Sequence, residues 1–487
     1  MSIKDKFIKA LQTLLRIRPP ERQVFDIQEE LDFQGNAFAN KLWYRGSASE
    51  LNQFYRQLNS ESFPFWGSVP TRGLEVRKIH TGIPKIVINT LANIVIRDLN
   101  DIEYDNVAQN DIWQAVATEN ELNKVLLQAT KDVLVVGDGA CKISLDPELS
   151  EYPILEWYSG EKVEFVRDRG RLREIVFKTE YKQKNKKYIL LEKYGFGYIN
   201  YELYDGENQV PLDTVEETAE LQNIEFDKSF MMAVPYKILD SDKWIGRGQS
   251  VFEGKRDNFD ALDEAWSQWM HALRASRPIK YIPETLIPRD EENGRLLKPN
   301  SFDNQFIATE SNMMEGAKNE IEIKQPDFPS NSYLATYVTA LDLALQGLIS
   351  PSTLGIDVKK LDNAEAQREK EKTTLYTRGI IIEGLTAFLE TLADYVFKAY
   401  NTAHTAPLED VETEISFGEY ANPSFEAVVE TLSNPNTPMS IEAKIEEMWG
   451  DSKDQVWKDE EVKRVKEQMG IATLEEPALN EEAMIDG

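Results

Sequence analysis

Hydrophobic positions recur with helical spacing along the first part of the chain. QEELDFQGNAFANKLW and ASELNQFYRQL each carry apolar residues on one face, and HTGIPKIVINTLANIVIRDL is longer and more apolar. Over residues 153–235 the period changes to two, and a hairpin turn is predicted at Asp168-Arg169-Gly170. The pattern therefore predicts N-terminal helices followed by an antiparallel meander, which is an α+β chain.

A long helix is predicted over residues 250–277. Ser250 and Glu253 have the spacing of a capping box at its start. Its apolar residues form a narrow seam with a seven-residue repeat, made of Phe252, Phe259, Leu262, Trp266, Trp269 and Leu273. Such a seam indicates packing of one helix on another, and the polar remainder predicts that the helix is not buried inside one globule.

A second apolar helix is predicted over residues 332–349, after a Pro- and Asn-rich insert with short strand-like pieces. Two helices that flank such an insert predict a helical hairpin with a small module at its tip. The loop 350–361 follows, and a capping-box pattern at Asp362 then begins a long helix that ends near Thr402. A strand, three short helices and an acidic tail complete the predicted elements.

The composition narrows the class of protein. The 487 residues are 41% hydrophobic and carry a formal net charge of -29. A protein that coats nucleic acid nonspecifically needs a basic surface, so that class is excluded. One cysteine, Cys141, excludes an intrachain disulfide and a cysteine-based zinc cluster. The basic amphipathic N-terminus lacks the features of a signal peptide and is expected to dock on a partner protein; no apolar run is long enough for a bilayer.

Candidate catalytic chemistry is missing from the sequence. The three histidines, His80, His271 and His404, lie far apart and outside metal or triad motifs, so each is expected to be structural. The GDGACK turn lacks the spacing of a P-loop. Cys141 is expected to be a small core residue. We therefore predict no enzyme activity, no metal and no cofactor.

The order of these pieces resembles the portal proteins of bacteriophages, most closely the portal family of long-tailed phages that infect Gram-positive bacteria. The first two similar stretches are WYRGSASELNQFY, with FPFWGSVP and HTGIPKIVINTLANIV, and GRGQSVFEGKRDNFDALDEAWSQWMHALRASRPIKYIP. The other two are ISPSTLGIDVKKLDNAEAQREKEKTTLYT and MSIEAKIEEMWGDSKDQVWKDEEVKRVKEQMG. Together they span nearly the whole chain in the order of the family.

The resemblance implies a ring-forming portal fold, with a wing of helices and antiparallel strands, a helical stem, a small α/β clip and a helical crown. Its map onto this chain is the wing at 1–240, the first stem helix at 241–277, the clip at 278–331, the second stem helix at 332–349, the tunnel loop at 350–361, the long wing helix and strand at 362–417, the crown at 418–475 and a disordered acidic tail at 476–487.

The same resemblance implies a ring of about twelve subunits at one capsid vertex. Double-stranded DNA enters through the axis during terminase-driven packaging and leaves by the same path during ejection, and the portal itself hydrolyses nothing. The implied partners are identical copies, DNA, the terminase large subunit at the clip, head-completion or adaptor proteins, and major capsid and scaffolding proteins. The implied location is the portal vertex of the virion, after assembly in the host cytoplasm.

Two sets of residues carry these expectations. The tunnel loop is expected to face DNA through Ser350, Thr353, Gly355, Asp357, Lys359 and Lys360. The seam of the first stem helix is expected to pack between helices, so that replacing Trp266 and Trp269 with Ala weakens ring assembly.

Two other classes of protein remain open. One is an acidic cytosolic scaffold or adaptor without a channel, and the other is an enzyme whose site escapes sequence motifs. A portal forms rings with a central hole, whereas an adaptor is expected to be a monomer or dimer.

Overall fold

The computed structural model describes residues 29–58, 64–69, 75–183, 185–290, 294–296, 306–311, 320–356, 364–418, 440–441, 443–445 and 455–468. The chain divides into two compact units, Met1–Ser416 and Phe417–Gly487. The first unit combines helices with largely antiparallel sheets, so the predicted α+β class is confirmed.

Among the described residues, the N-terminal part of the first unit contains six helices: α1 (Phe33–Arg45), α2 (Ala48–Gln57), α3 (Pro64–Gly67), α4 (Ile83–Arg97), α5 (Val107–Glu119) and α6 (Leu122–Val136). The helical periodicity predicted this region correctly. Its apolar faces meet in a core that fully buries the indole rings of Trp43, Trp66 and Trp113. Large aromatic rings contribute much of the apolar area that stabilises such a core.

Nine strands follow: β1 (Asp138–Ser144), β2 (Ile154–Ser159), β3 (Val163–Asp168), β4 (Arg171–Gln183), β5 (Lys186–Gly195), β6 (Tyr198–Asp205), β7 (Asn208–Val210), β8 (Ile224–Glu225) and β9 (Ala233–Lys237). Strands β3 to β7 pair in sequence order, with β8 on β6, so the meander and its turn at residues 168–170 are confirmed. The prediction of a single meander was wrong at both ends. There β2 and β9 pair with β1 in a separate three-stranded sheet.

A close backbone crossing explains how α6 leads into β1. Gly137 adopts a φ of 117°, and a Cβ atom on it would lie 2.1 Å from the carbonyl oxygen of Gly248. Only glycine fits both the positive φ and this approach. The crossing brings residues 246–249 beside the start of β1, shortly before the next helix begins.

The next elements are α7 (Arg256–Ala275), β10 (Ile279–Pro283), β11 (Phe306–Thr309), β12 (Glu322–Lys324) and α8 (Ser330–Leu345). Helices α7 and α8 pack against each other, and we call this pair the helical hairpin. Strand β10 pairs in parallel with β11 and antiparallel with β12, and we call these three strands the tip sheet. The predicted hairpin with a small module between its helices is therefore present in the fold.

The predicted start of α7 at Ser250 was wrong, because the helix begins at Arg256. The Ser250 hydroxyl donates to the carbonyl of Val135 at 2.6 Å, and the Glu253 carboxylate accepts from the Ser241 hydroxyl at 2.9 Å. Both side chains of the supposed capping box therefore bind outside the helix. The capping pattern at Asp362 lies outside the described residues.

The long helix α9 (Ala364–Ala403) completes the first unit and packs against β9 and α4. Its 40 residues correspond to about 60 Å. Phe388 stacks on Tyr236 of β9 with the ring centroids 4.7 Å apart. In the second unit, α10 (Gln455–Gln468) is the longest described element.

Candidate functional site

The helical hairpin exposes an unusually uncharged surface. Helix α8 has 16 residues, SNSYLATYVTALDLAL, of which only Asp342 is charged. Only Leu341, Ala344 and Leu345 are buried, while Leu334 and Leu343 are 49% and 48% exposed. A helix that faces water on a monomer normally carries charged residues on that side. This surface therefore has the composition of a face that another protein covers.

A groove of 430 Å³ runs along this exposed side between α7 and α8. Its lining consists of small residues with one leucine, namely Asn258, Ala261, Ala335, Thr336, Thr339, Ala340 and Leu343. Small side chains allow another helix or loop to approach the backbone closely. The groove contains no charged group that a partner would have to desolvate.

Three aromatic rings hold the two helices together within one chain. Trp266 and Trp269 of α7 lie with their ring centroids 5.4 Å and 6.0 Å from that of Tyr337 on α8. Their removal would open the hairpin inside a subunit. Substitution of the two tryptophans consequently cannot separate packing within a subunit from packing between subunits.

The other seam residues lie in different surroundings. Phe252 precedes the helix, and Phe252, Phe259 and Leu262 are buried in the core of the first unit. Leu273, near the end of α7, is 48% exposed. The expectation that the whole helix avoids burial in one globule was therefore wrong for its first half, which anchors the hairpin.

A buried carboxylate fixes that anchor. Asp263 of α7 is fully buried, and its Oδ1 accepts from the Thr81 amide and hydroxyl, both at 2.8 Å. Its Oδ2 lies 2.6 Å from the Nδ1 of His80 and accepts from the Trp66 indole at 3.2 Å. Sequence reasoning assigned His80 a structural role but did not find its partner, because the two residues are 183 positions apart.

Asp260, one turn before Asp263, gives this anchor a pH dependence. Burial raises the pKa of the Asp260 carboxyl to about 7, and the carboxylates of Asp263 and Glu264 act in the same direction, against a hydrogen bond from the Trp66 backbone. Above the ordinary pKa of an aspartate and below about pH 7, the Asp260 carboxyl is therefore protonated in the folded state but ionised in the unfolded state. The resulting stability is complete below about pH 4 and is lost as the pH rises through about 7.

We expect Asp260→Asn to remove this pH dependence, because an amide stays neutral at every pH. The free energy of unfolding of the natural protein should fall, relative to the variant, by on the order of 2 kcal/mol between pH 5.5 and pH 8. Urea denaturation followed by circular dichroism at both pH values measures the difference. A difference in the free energy of unfolding between the two proteins that is the same at both pH values would contradict the assignment of this pH dependence to Asp260.

A buried ion pair connects the chain before α7 to the sheets. Arg247 donates from Nε and Nη2 to the Asp138 carboxylate at 2.9 and 2.7 Å. It also donates to the carbonyls of Gly160 and Val163, and its guanidinium lies 3.7 Å from the ring centroid of Phe33. These contacts join β1, the start of β3 and α1 at one point. The sequence did not predict a role for Arg247, because its position between two glycines is the only feature that distinguishes it from other arginines.

The loop that follows the hairpin is only partly described. Residues Pro351–Leu354 form a 3-10 helix that ends at Gly355, whose φ of 70° is the left-handed conformation that glycine adopts readily. Ser350 is buried, and its amide donates to the Thr374 hydroxyl of α9 at 2.9 Å. The Thr353 hydroxyl lies 3.0 Å from that same group. Asp357, Lys359 and Lys360 lie outside the described residues.

No described group of three or more His, Cys, Asp or Glu side chains has the arrangement of a metal site. Cys141 is buried in β1, where burial raises the pKa of its thiol to about 12. Within the described part of the chain, no helix combines the length and apolar character needed to cross a bilayer.

No protein-family model matches the chain, and no curated protein matches it. Among solved structures, the chain is similar to one from the virion of a native gene transfer agent particle, with a TM-score of 0.38 and 13% identity over 76% of this chain and 90% of that one. It is also similar to a chain from the neck of the native particle computed with C12 symmetry, with a TM-score of 0.36, 12% identity and the same coverage. A chain from the neck of the empty particle, computed with C6 symmetry, gives a TM-score of 0.37 and 11% identity over 75% of this chain and 90% of that one.

Proposed function

We propose that this chain is a bacteriophage portal protein of the kind found in long-tailed phages of Gram-positive hosts. Copies of it form a closed ring of about twelve subunits at one vertex of the capsid. The ring axis is the path for double-stranded DNA during terminase-driven packaging and during ejection. The protein has a structural role and hydrolyses nothing.

The observation that carries this proposal is the exposed, largely apolar side of α8, on which Asp342 is the one charged residue. Its apolar groove is expected to be buried against another protein surface. A second copy of the chain supplies such a surface without any further component. A contact between different faces of identical subunits generates a closed ring when the rotation between neighbours closes. The helical hairpin then becomes the stem of the ring, and the groove on α8 receives the neighbouring subunit.

The tip sheet supports the assignment of a docking site at residues 278–331. Its three strands are short, and Ile321 and Ile323 beside or within β12 are 51% and 60% exposed. Exposed apolar residues on a short sheet edge favour contact with another protein. In this proposal the terminase binds there during packaging, and head-completion proteins bind there afterwards.

The charge of the chain suits a DNA channel. A wall with a net negative charge repels a polymer that carries one charge per about 1.7 Å, and so lets it slide. Ser350 is buried against Thr374 of α9, so the expectation that it faces DNA was wrong. The later part of the tunnel loop is proposed to project towards the axis, with Lys359 and Lys360 as isolated phosphate contacts. Gly355, at the end of the 3-10 helix, provides the turn before them.

Negative-stain imaging and native mass measurement of the purified full chain test the proposal. Rings with a central hole and the mass of about twelve copies are the expected result. A monomer or dimer at the highest concentrations used would instead favour an acidic scaffold or adaptor protein. In that case the α8 groove would be buried against a different protein and not against a second copy of this chain.

A further inference from the structure

A basic concavity lies at one end of the meander sheet, remote in sequence from the helical hairpin. Its volume is 810 Å³, and its lining consists of Asp168, Arg169, Arg171, Leu172, Arg173, Phe196 and Tyr198. The lining holds three arginines and one aspartate, and Glu174 lies 3.8 Å from Arg173, so the local charge is still positive. The whole chain carries -29, so this local charge is opposite in sign to that of the chain as a whole. We call Arg169, Arg171 and Arg173 the arginine cluster.

The β3–β4 turn holds the arginine cluster in an open arrangement. Arg169 and Gly170 form a two-residue turn with φ angles of 50° and 81°. Strand β4 begins at Arg171, and its pairing with β3 shifts register beside Arg173, so that Arg173 is an extra residue without a partner on β3. All three arginine side chains are exposed to solvent.

The arginine cluster differs from the lysines of the same sheet in its pairing. Arg169 and Arg171 form no ion pair with any residue that the structure describes, whereas Arg173 lies 3.8 Å from Glu174 and also hydrogen-bonds the Tyr198 side chain. Glu174 already accepts from the Tyr198 hydroxyl at 2.6 Å. Four lysines, by contrast, are each paired within the sheet: Lys178 with Glu164, Lys186 with Asp205, Lys187 with Glu180 and Lys193 with Glu202. These four lysines are neutralised within the sheet, whereas Arg169 and Arg171 are not.

Exposed, unpaired arginines fit phosphate groups. The guanidinium fork binds phosphate oxygens in a bidentate manner. At physiological salt, charges more than about 8 Å away are largely screened, so the local charge decides whether a polyanion binds. Phe196, which is 40% exposed, adds apolar surface for the sugars between the phosphates.

We propose that the arginine cluster binds the phosphate backbone of double-stranded DNA, as a second DNA-contacting surface in addition to the channel. The choice of DNA over another polyanion rests on the proposed function, which brings duplex DNA to this protein. Binding is expected to be independent of base sequence and to weaken with salt, because the contacts are made to phosphates alone.

The test is binding of the full chain to a fluorescent DNA duplex across a range of salt concentrations. Replacing the cluster by Arg169→Gln, Arg171→Gln and Arg173→Gln should weaken binding at low salt by about tenfold or more, and should reduce the salt slope by about 3. The matched control is Lys182→Gln, Lys186→Gln and Lys187→Gln. It removes three exposed positive charges at the opposite end of β4 and should leave both quantities unchanged.

Two results would overturn the inference. One is a cluster variant that binds the duplex as the natural protein does. The other is a natural protein that ignores the duplex but binds polyglutamate through the cluster, which would point to an acidic protein surface instead. Ring imaging of the same samples separates this test from that of the proposed function, since the cluster variant should still form rings.

Discussion

Leu343→Glu is expected to abolish ring assembly while the subunit stays folded. Leu343 lines the groove on the helical hairpin and is 48% exposed, so a carboxylate there is solvated in the isolated subunit. In the ring the same carboxylate would be buried against the neighbouring copy, in a groove whose lining contains no cation. An unpaired buried charge costs several kcal/mol even after relaxation, and the cost recurs at every interface of the ring.

Native mass measurement reports the loss of the ring, and circular dichroism reports whether the subunit is folded. Leu149→Glu is the matched control, since it makes the same change at a residue that is 78% exposed on the loop between β1 and β2. That variant should assemble normally. Rings of natural mass from Leu343→Glu would remove the α8 groove from the proposed subunit interface.

Arg247→Met is expected to destabilise the folded subunit by about 3–5 kcal/mol, because it leaves a buried carboxylate without its cation. The carboxylate of Asp138 is 1% exposed, and the Arg247 side chain is 15% exposed. Methionine retains part of the apolar packing against Phe33 but none of the four hydrogen bonds that the guanidinium donates. One neutral amide, that of Gly248, still donates to the carboxylate, which is too little to replace the charge.

Urea denaturation of Arg247→Met and of the natural protein at neutral pH measures this effect. Lys187→Ala is the control, because it breaks an ion pair with Glu180 in which both side chains are more than half exposed. Exposed pairs contribute little, so that variant should denature at the same urea concentration as the natural protein. Adding Asp138→Asn to Arg247→Met should recover part of the loss, as it removes the unpaired charge. Equal stability of Arg247→Met and the natural protein would rule out a stabilising role for the pair.

Much of the fold follows from the local pattern of the sequence. The helical stripes of the N-terminal part, the β3–β4 turn and the position of α8 all depend on residues that are close together in the chain. A stripe with a 3.6-residue period or an alternation with a period of two buries one face of an element whatever that element packs against. The hairpin and its small tip module were predictable for that reason.

Other features depended on residues far apart in sequence. The seam of α7 has the same apolar residues whether it faces the core of the first unit or another helix, so the sequence alone did not reveal that Phe259 is buried while Leu273 is exposed. Ser250 and Glu253 had the spacing of a cap, but their side chains found partners at Val135 and Ser241. Tertiary hydrogen bonds thus prevailed over the local capping pattern.

The sequence by itself determined the class of fold, the two helices of the hairpin and the low charge of α8, whose one charged residue is Asp342, since these are properties of composition and local period. Only the tertiary structure decided which apolar faces remain open to solvent and which distant groups meet. The pairs His80–Asp263 and Asp138–Arg247 are separated by more than a hundred residues. Contacts of that kind depend on how the elements pack in three dimensions, which periodicity along a single chain does not encode.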